Sequence, residues 1–175
     1  MKMKIYAVLA CAALLFSGCG HKIPKKPPAV TVNAGDASVN STVNLSCWDN
    51  TVYLLDVTAS EWIEKFGEPV YFPDGTVFEV VIPEKNAAPD KVTVTDTLIR
   101  PNGTMKYDER AAVVDITPEV SGNVISFSLD SHWATALSSD LADYEKGTAF
   151  RCFDVTCHWG DNVCVYTFCV RSDPV

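Results

Sequence analysis

The sequence predicts a mainly β chain folded as an antiparallel β-sandwich, and three observations carry that expectation. Short runs rich in Val, Ile, Thr, Phe and Tyr recur along the chain, with apolar residues at every second position. Turn signals stand between them: Pro-Asp-Gly at 73–75, Pro-Asn-Gly at 101–103 and Gly-Asp at 160–161. A single segment carries the complete start and stop chemistry of a helix. About eight or nine short strands, interrupted this often, bury their apolar faces most simply as two packed sheets.

The chain opens MKMKIYAVLACAALLFSGCG. Lys2 and Lys4 precede a continuous apolar stretch from Ile5 to Phe16, and Ser17, Gly18 and Cys19 follow. An apolar run of about a dozen residues is too short to span a bilayer and suits the core of a secretory signal. Leu15 to Cys19 resembles the lipobox of bacterial lipoproteins, with Phe16 standing where Leu is usual. The resemblance implies a signal peptide over 1–18, cut by signal peptidase II, and lipidation of Cys19 with palmitate-type acyl chains. The mature chain would then be anchored to the extracytoplasmic face of the cell membrane without spanning it. Cys11 has too little apolar sequence before it to serve instead.

Residues 19–28 form a tether. His-Lys-Ile-Pro-Lys-Lys-Pro-Pro is stiff and extended, and Lys22, Lys25 and Lys26 would lie beside anionic head groups or simply keep the linker soluble. The folded domain is expected over 29–175. Beyond residue 28 stand nine Lys and Arg against 22 Asp and Glu, a net charge of −13, which disfavours nucleic acid.

Within the domain, strands are expected at Val30 to Val32, at Ser41 to Cys47 with Val43, Leu45 and Cys47 on one face, and at Thr51 to Val57. Thr58 and Glu61 form a capping box and Gly67 a stop, so Ala59 to Phe66 reads as a short helix laying Trp62, Ile63 and Phe66 on a sheet. Thr76 to Ile82 follows as a strand. Lys91 to Ile99 turns through Pro101-Asn102-Gly103 into Thr104 to Tyr107 as a hairpin. Ala111 to Ile116 and Val124 to Leu129 are further strands, and Ser138 to Gly147 reads as a helical turn or an acidic loop.

The last two strands are Phe150 to Trp159 and Val163 to Arg171. With a two-residue turn at Gly160-Asp161, Cys157 faces Cys164 and Cys152 faces Cys169. Directly opposed Cβ atoms lie about 4.5–5.5 Å apart, within a small twist of what a disulfide needs. The interval from 152 to 157 is odd, so the two pairs occupy opposite faces of the hairpin. Phe153, Val155, Cys157, Trp159, Cys164, Tyr166 and Phe168 make the core face, while Cys152, Asp154, Thr156, His158 and Cys169 make a more polar one. Thiols split between faces do not converge on one metal, so no metal and no other cofactor is expected. In an extracytoplasmic compartment they are expected as two disulfides. Five cysteines follow Cys19, and Cys47 is then the odd one.

Asn44-Leu-Ser-Cys-Trp48 and Gly147 to Val155 resemble the second and sixth strands of immunoglobulin-type domains, with Phe150 in the usual place of a tyrosine. That resemblance implies a Cys47–Cys152 bridge instead, leaving Cys169 over. The whole arrangement is similar to small uncharacterised lipoproteins of Gram-positive bacteria, which implies no activity.

Catalytic patterns are missing from the sequence. The histidines His21, His132 and His158 stand beside no nucleophile motif, and no two carboxylates are set apart by spacing as acid and base. Asp140, Asp143 and Glu145 could offer oxygens to Ca²⁺, without an EF-hand pattern to support it. The expectation is a non-catalytic binding or interaction module of the cell envelope with a protein or glycan partner. The alternative is a cell-wall glycan reader stacking sugars on exposed Trp48, Trp62, Trp133 and Trp159; a carboxylate-dependent hydrolase stands third.

Overall fold

The computed structural model describes residues 23–54, 58–83 and 87–174. Two antiparallel sheets pack face to face. One holds β1 (Thr31–Ala34), β2 (Ala37–Val39), β5 (Val77–Val81), β8 (Glu119–Ser121) and β9 (Val124–Ser128), in the order β2-β1-β5-β9-β8. The other holds β3 (Thr42–Trp48), β4 (Thr51–Leu54), β6 (Lys91–Ile99), β7 (Val113–Ile116), β10 (Ala149–Trp159) and β11 (Asn162–Ser172), in the order β4-β3-β11-β10-β6-β7. Eleven strands thus stand among the described residues, the short β2 and β8 being additions to the expected set. β2 follows a tight turn at Gly35 and β8 precedes one at Gly122, and each strand is too brief to leave a periodic signal.

The core is aromatic. Phe78 and Phe127 from one sheet meet Phe153 and Phe168 from the other, with Phe153 stacked on Phe168 at 5.2 Å and Phe78 5.3 Å from Phe168. Each such ring contributes roughly 1.5–3 kcal/mol on burial, with about 0.5–1.5 kcal/mol more for a well-placed pair.

The long hairpin β10–β11 has the expected register, Cys152 opposite Cys169 and Cys157 opposite Cys164. Its odd-numbered face from Phe153 to Trp159 enters the core, as parity requires. The other face departs from expectation at one end. α1 (Ala59–Phe66) covers it, so that Trp62, Ile99, Cys152 and Cys169 form a second apolar cluster with Ile63, Phe66 and Phe150. The capping box is present as read, with the Thr58 hydroxyl accepting from Glu61 N–H at 3.3 Å and Glu61 accepting from Thr58 N–H at 2.9 Å. Gly103 (φ +82°) lies flush against this helix start; a Cβ there would fall on the backbone of Ala59 and Ser60.

Three local expectations are corrected. Thr104 to Tyr107 forms a turn with a single bridge, Ile99 to Met105, and β6 takes β7 as its partner instead. β7 begins at Val113 because Asp108 caps a helical turn, α2 (Glu109–Ala112), ahead of it. In β3 the pairing with β11 slips between Val165 and Tyr166, so Val43 packs against the core while Cys47 turns outward and half-buried, opposite Val163. The expected strand Thr51 to Val57 is described only to Leu54, and residues 55–57 lie outside the described residues.

The segment before β1 is docked on the domain instead of standing off it. Pro24 and Pro28 are buried, the Tyr166 hydroxyl donates to the Pro28 carbonyl at 2.7 Å, and Ile23 reaches the Gly160 turn.

Candidate functional site

At the open side of the sandwich, β7 and the β8–β9 hairpin belong to different sheets and leave a cleft of about 670 Å³ between them. This lies within the range of small-ligand sites. The residues from Asp130 to Trp133, just after β9, close one end.

Its floor is an ion pair placed by strand register. Arg151 sits opposite Leu98 and Phe153 opposite Asp96, so Arg151 and Asp96 are diagonal neighbours on the inward face. They are 2% and 1% exposed. Arg151 donates from Nε to both Asp96 oxygens (3.2 and 3.1 Å) and from Nη2 to Oδ2. Its Nη1 reaches the Asp130 carbonyl at 2.5 Å and the Ser172 hydroxyl at 3.3 Å. A buried charge survives only when its donors are met in this way.

His132 is committed as well. Its Nδ1 accepts from Ala134 N–H at 3.3 Å, which leaves the proton on Nε2 to donate to the Ala112 carbonyl at 3.2 Å. Burial pushes its pKa down, so it stays neutral and ties the loop after β9 to the start of β7. Near the Arg151 end, burial raises the Asp74 carboxyl, with Asp173 and Asp130 adding to the effect and Arg151 opposing it. The remaining lining offers hydroxyls (Thr117, Ser126, Ser128, Ser131), the carboxylates Asp115, Glu119 and Asp130, and the Trp133 indole. The three carboxylates belong to exposed residues and lack the burial that sets a general acid apart from its partner. The arrangement is equipped to recognise a polar group.

The tryptophans divide three to one. Trp48 and Trp159 meet in the core at 5.4 Å and 58°, and Trp159 Nε1 donates to the Ala87 carbonyl at 2.7 Å. Trp62 lies on the buried face of α1, 5.0 Å from Phe66. The glycan platform expected of these rings is therefore not assembled: Trp133 alone of the four is exposed, at 52%, on the rim of the cleft. The acidic loop is also occupied otherwise. Asp140 caps the 3-10 turn Leu141–Tyr144, and Asp143 binds Lys106 at 2.7 Å, which holds its carboxyl below the usual range. Among the described residues no group of three or more His, Cys, Asp or Glu is gathered as a metal would need.

The five described cysteines are free thiols. Cys152 and Cys169 sulfurs lie 3.1 Å apart in the cluster under α1. Burial pushes Cys157 up to about 12 and Cys164 to about 11. The Cys169 contact and then burial raise Cys152. Cys47 and Cys152 belong to one sheet, two strands apart and six residues out of step, because Cys47 faces Val163. That separation is roughly 20 Å from strand geometry, so the immunoglobulin-type bridge does not form. Cys19 and the signal lie outside the described residues, among which no helix is long and apolar enough to cross a membrane.

Sequence reading missed the cleft, and one signal could have found it. Arg151 shares the parity of Phe153 and Val155, and Asp96 that of Val94 and Leu98; opposite charges at inward positions of neighbouring strands announce a buried pair. No protein-family model and no curated protein matches the chain.

Proposed function

We propose that the chain is a lipoprotein, anchored through Cys19 to the extracytoplasmic face of the cell membrane, that works by binding through the inter-sheet cleft and without catalysis. One observation carries this reading: a cleft of about 670 Å³ whose buried polar floor is largely engaged in holding its own shape. Four of the five Arg151 N–H groups and both His132 ring nitrogens are hydrogen-bonded within the protein, as befits a rigid receptor. In this reading Cys152–Cys169 and Cys157–Cys164, each pair directly opposed, lose two protons and two electrons per pair to a disulfide-donating thiol oxidant of the extracytoplasmic compartment and become disulfides. Envelope partners, protein or glycan, fit such a module; a single exposed Trp133 gives little support to a glycan reader.

Two measurements test it. Cys19→Ala should abolish fatty-acid labelling and release the protein from membranes or leave an unprocessed precursor. A photo-crosslinking residue at Ser131 in the cleft should capture an envelope component in living cells that the same residue at Lys65 does not. Identical capture from both positions removes the cleft from the function.

A further inference from the structure

We infer that the cleft receives an organic cation, an ammonium or guanidinium group carried on an apolar stem. This rests on the binding reading above and names the ligand chemistry. The lining holds Asp96, Asp115, Glu119 and Asp130 against one cation, Arg151, so it carries a net charge of −3. Arg151 offers no site for an anion: four of its five N–H groups are already donated to Asp96, Asp130 and Ser172, and it is 2% exposed. Asp96 is consumed by the same pair, which leaves the charges of Asp115, Glu119 and Asp130 available around the opening. His132 adds no positive charge, because both ring nitrogens are tied up and the ring is neutral. The remaining large feature is Trp133, 52% exposed and lining the same cleft as these carboxylates although its neighbours His132 and Ala134 are buried. A buried neighbour on either side fixes the backbone and holds the indole outward.

An indole face attracts a cation through its quadrupole and covers an alkyl stem at the same time. The carboxylates of the same lining would complete the charge pairing, and the serine hydroxyls would accept the remaining N–H donors. A neutral sugar would use the indole but leave three carboxylates desolvated without a partner, and an anion would meet repulsion from all of them. Volume agrees with the assignment: the cleft has room for an amine with its stem, or for one Lys or Arg side chain entering from a partner.

Trp133 reports its own occupancy, because the other three tryptophans are buried and constant. Detergent-solubilised full-length protein is titrated with cadaverine, agmatine and acetyl-Gly-Lys-Gly-amide, with pentanol and succinate as neutral and anionic controls. Fluorescence should saturate with cations only, and the change should vanish in Trp133→Phe if that indole is the contact. Glu119→Gln with Asp130→Asn, both exposed positions, should weaken the affinity roughly tenfold. Binding by the peptide alone identifies a protein segment as the source of the cation, and binding by the free amines identifies a small molecule. Pentanol binding as well as cadaverine, or affinity unchanged in the double variant, overturns the inference. If the cations fail while a crosslinker at Ser131 still captures its component, the cation assignment falls and the binding reading stands; if both fail, both fall.

Discussion

Asp96 shows how much a single carboxylate can hold in place. It neutralises Arg151, which in turn fixes the Asp130 carbonyl and Ser172, so one residue on β6 sets the end of β9 and the end of β11. Asp96→Ala should cost about 3–5 kcal/mol, because the guanidinium stays buried without its partner. Joint replacement, Asp96→Leu with Arg151→Met, should cost less than Asp96→Ala alone; urea denaturation of the two variants decides, and the reverse ranking removes the argument. His132 makes a different prediction. Burial lowers its folded pKa below 6.5, so the unfolded chain binds the proton first as pH falls. Its contribution is therefore intact above about pH 6.5 and is lost as pH drops toward the folded value. His132→Gln should flatten the stability-versus-pH slope just below 6.5, and an unchanged slope would assign that slope to other groups. Of these residues, Arg151 and Asp96 left a signal in strand parity that went unread. His132 left none, since its role depends on the Ala112 carbonyl twenty residues away.

Elements were legible wherever one period ran undisturbed. The β10–β11 hairpin and its cysteine register followed from a two-residue turn and parity alone, and α1 followed from its caps. β3 was misread because a bulge is invisible to periodicity: one extra residue reverses every side chain beyond it, and Cys47 moves from the core side to the half-buried outer face. What covers the outer face of the hairpin was equally hidden, since the apolar stripe of α1 could have docked on either sheet. That covering shields one pair of thiols, and the inter-sheet core shields the other. Buried and pushed upward in pKa, Cys152 under α1 and Cys157 and Cys164 in the main core are protonated and shielded, so any oxidation is expected during folding, before α1 docks and the two sheets close. If the chain is exported as proposed, non-reducing peptide mapping of the protein from cells should find Cys152 linked to Cys169 and Cys157 to Cys164, while half-buried Cys47 is alkylated without denaturant. Each link closes a short loop and should contribute on the order of 2 kcal/mol. A peptide joining Cys47 to any of the other four would contradict the sheet register itself.

At the scale of the molecule, the docked segment before β1 gives the domain an orientation. Ile23 rests on the Gly160 turn and Pro28 is held by Tyr166, so the chain enters along the β10–β11 hairpin from its tip. Cys19 precedes Ile23 by four residues, a reach of at most about 14 Å. Arg151, at the floor of the cleft, stands eight residues back from Trp159 on β10, roughly 26 Å along the strand. A lipid on Cys19 would therefore hold the hairpin tip near the bilayer and turn the cleft outward, toward whatever the compartment presents. With the protein reconstituted in vesicles carrying a lipid-bound acceptor, a fluorophore at Asp161 should be strongly quenched and one at Ser131 weakly. Tyr166→Phe, which removes the bond to Pro28, should narrow the difference by letting the domain swing on its tether. Equal quenching at the two positions in the unaltered protein would mean that the segment does not stay docked at a membrane, and the outward-facing cleft would have to be given up.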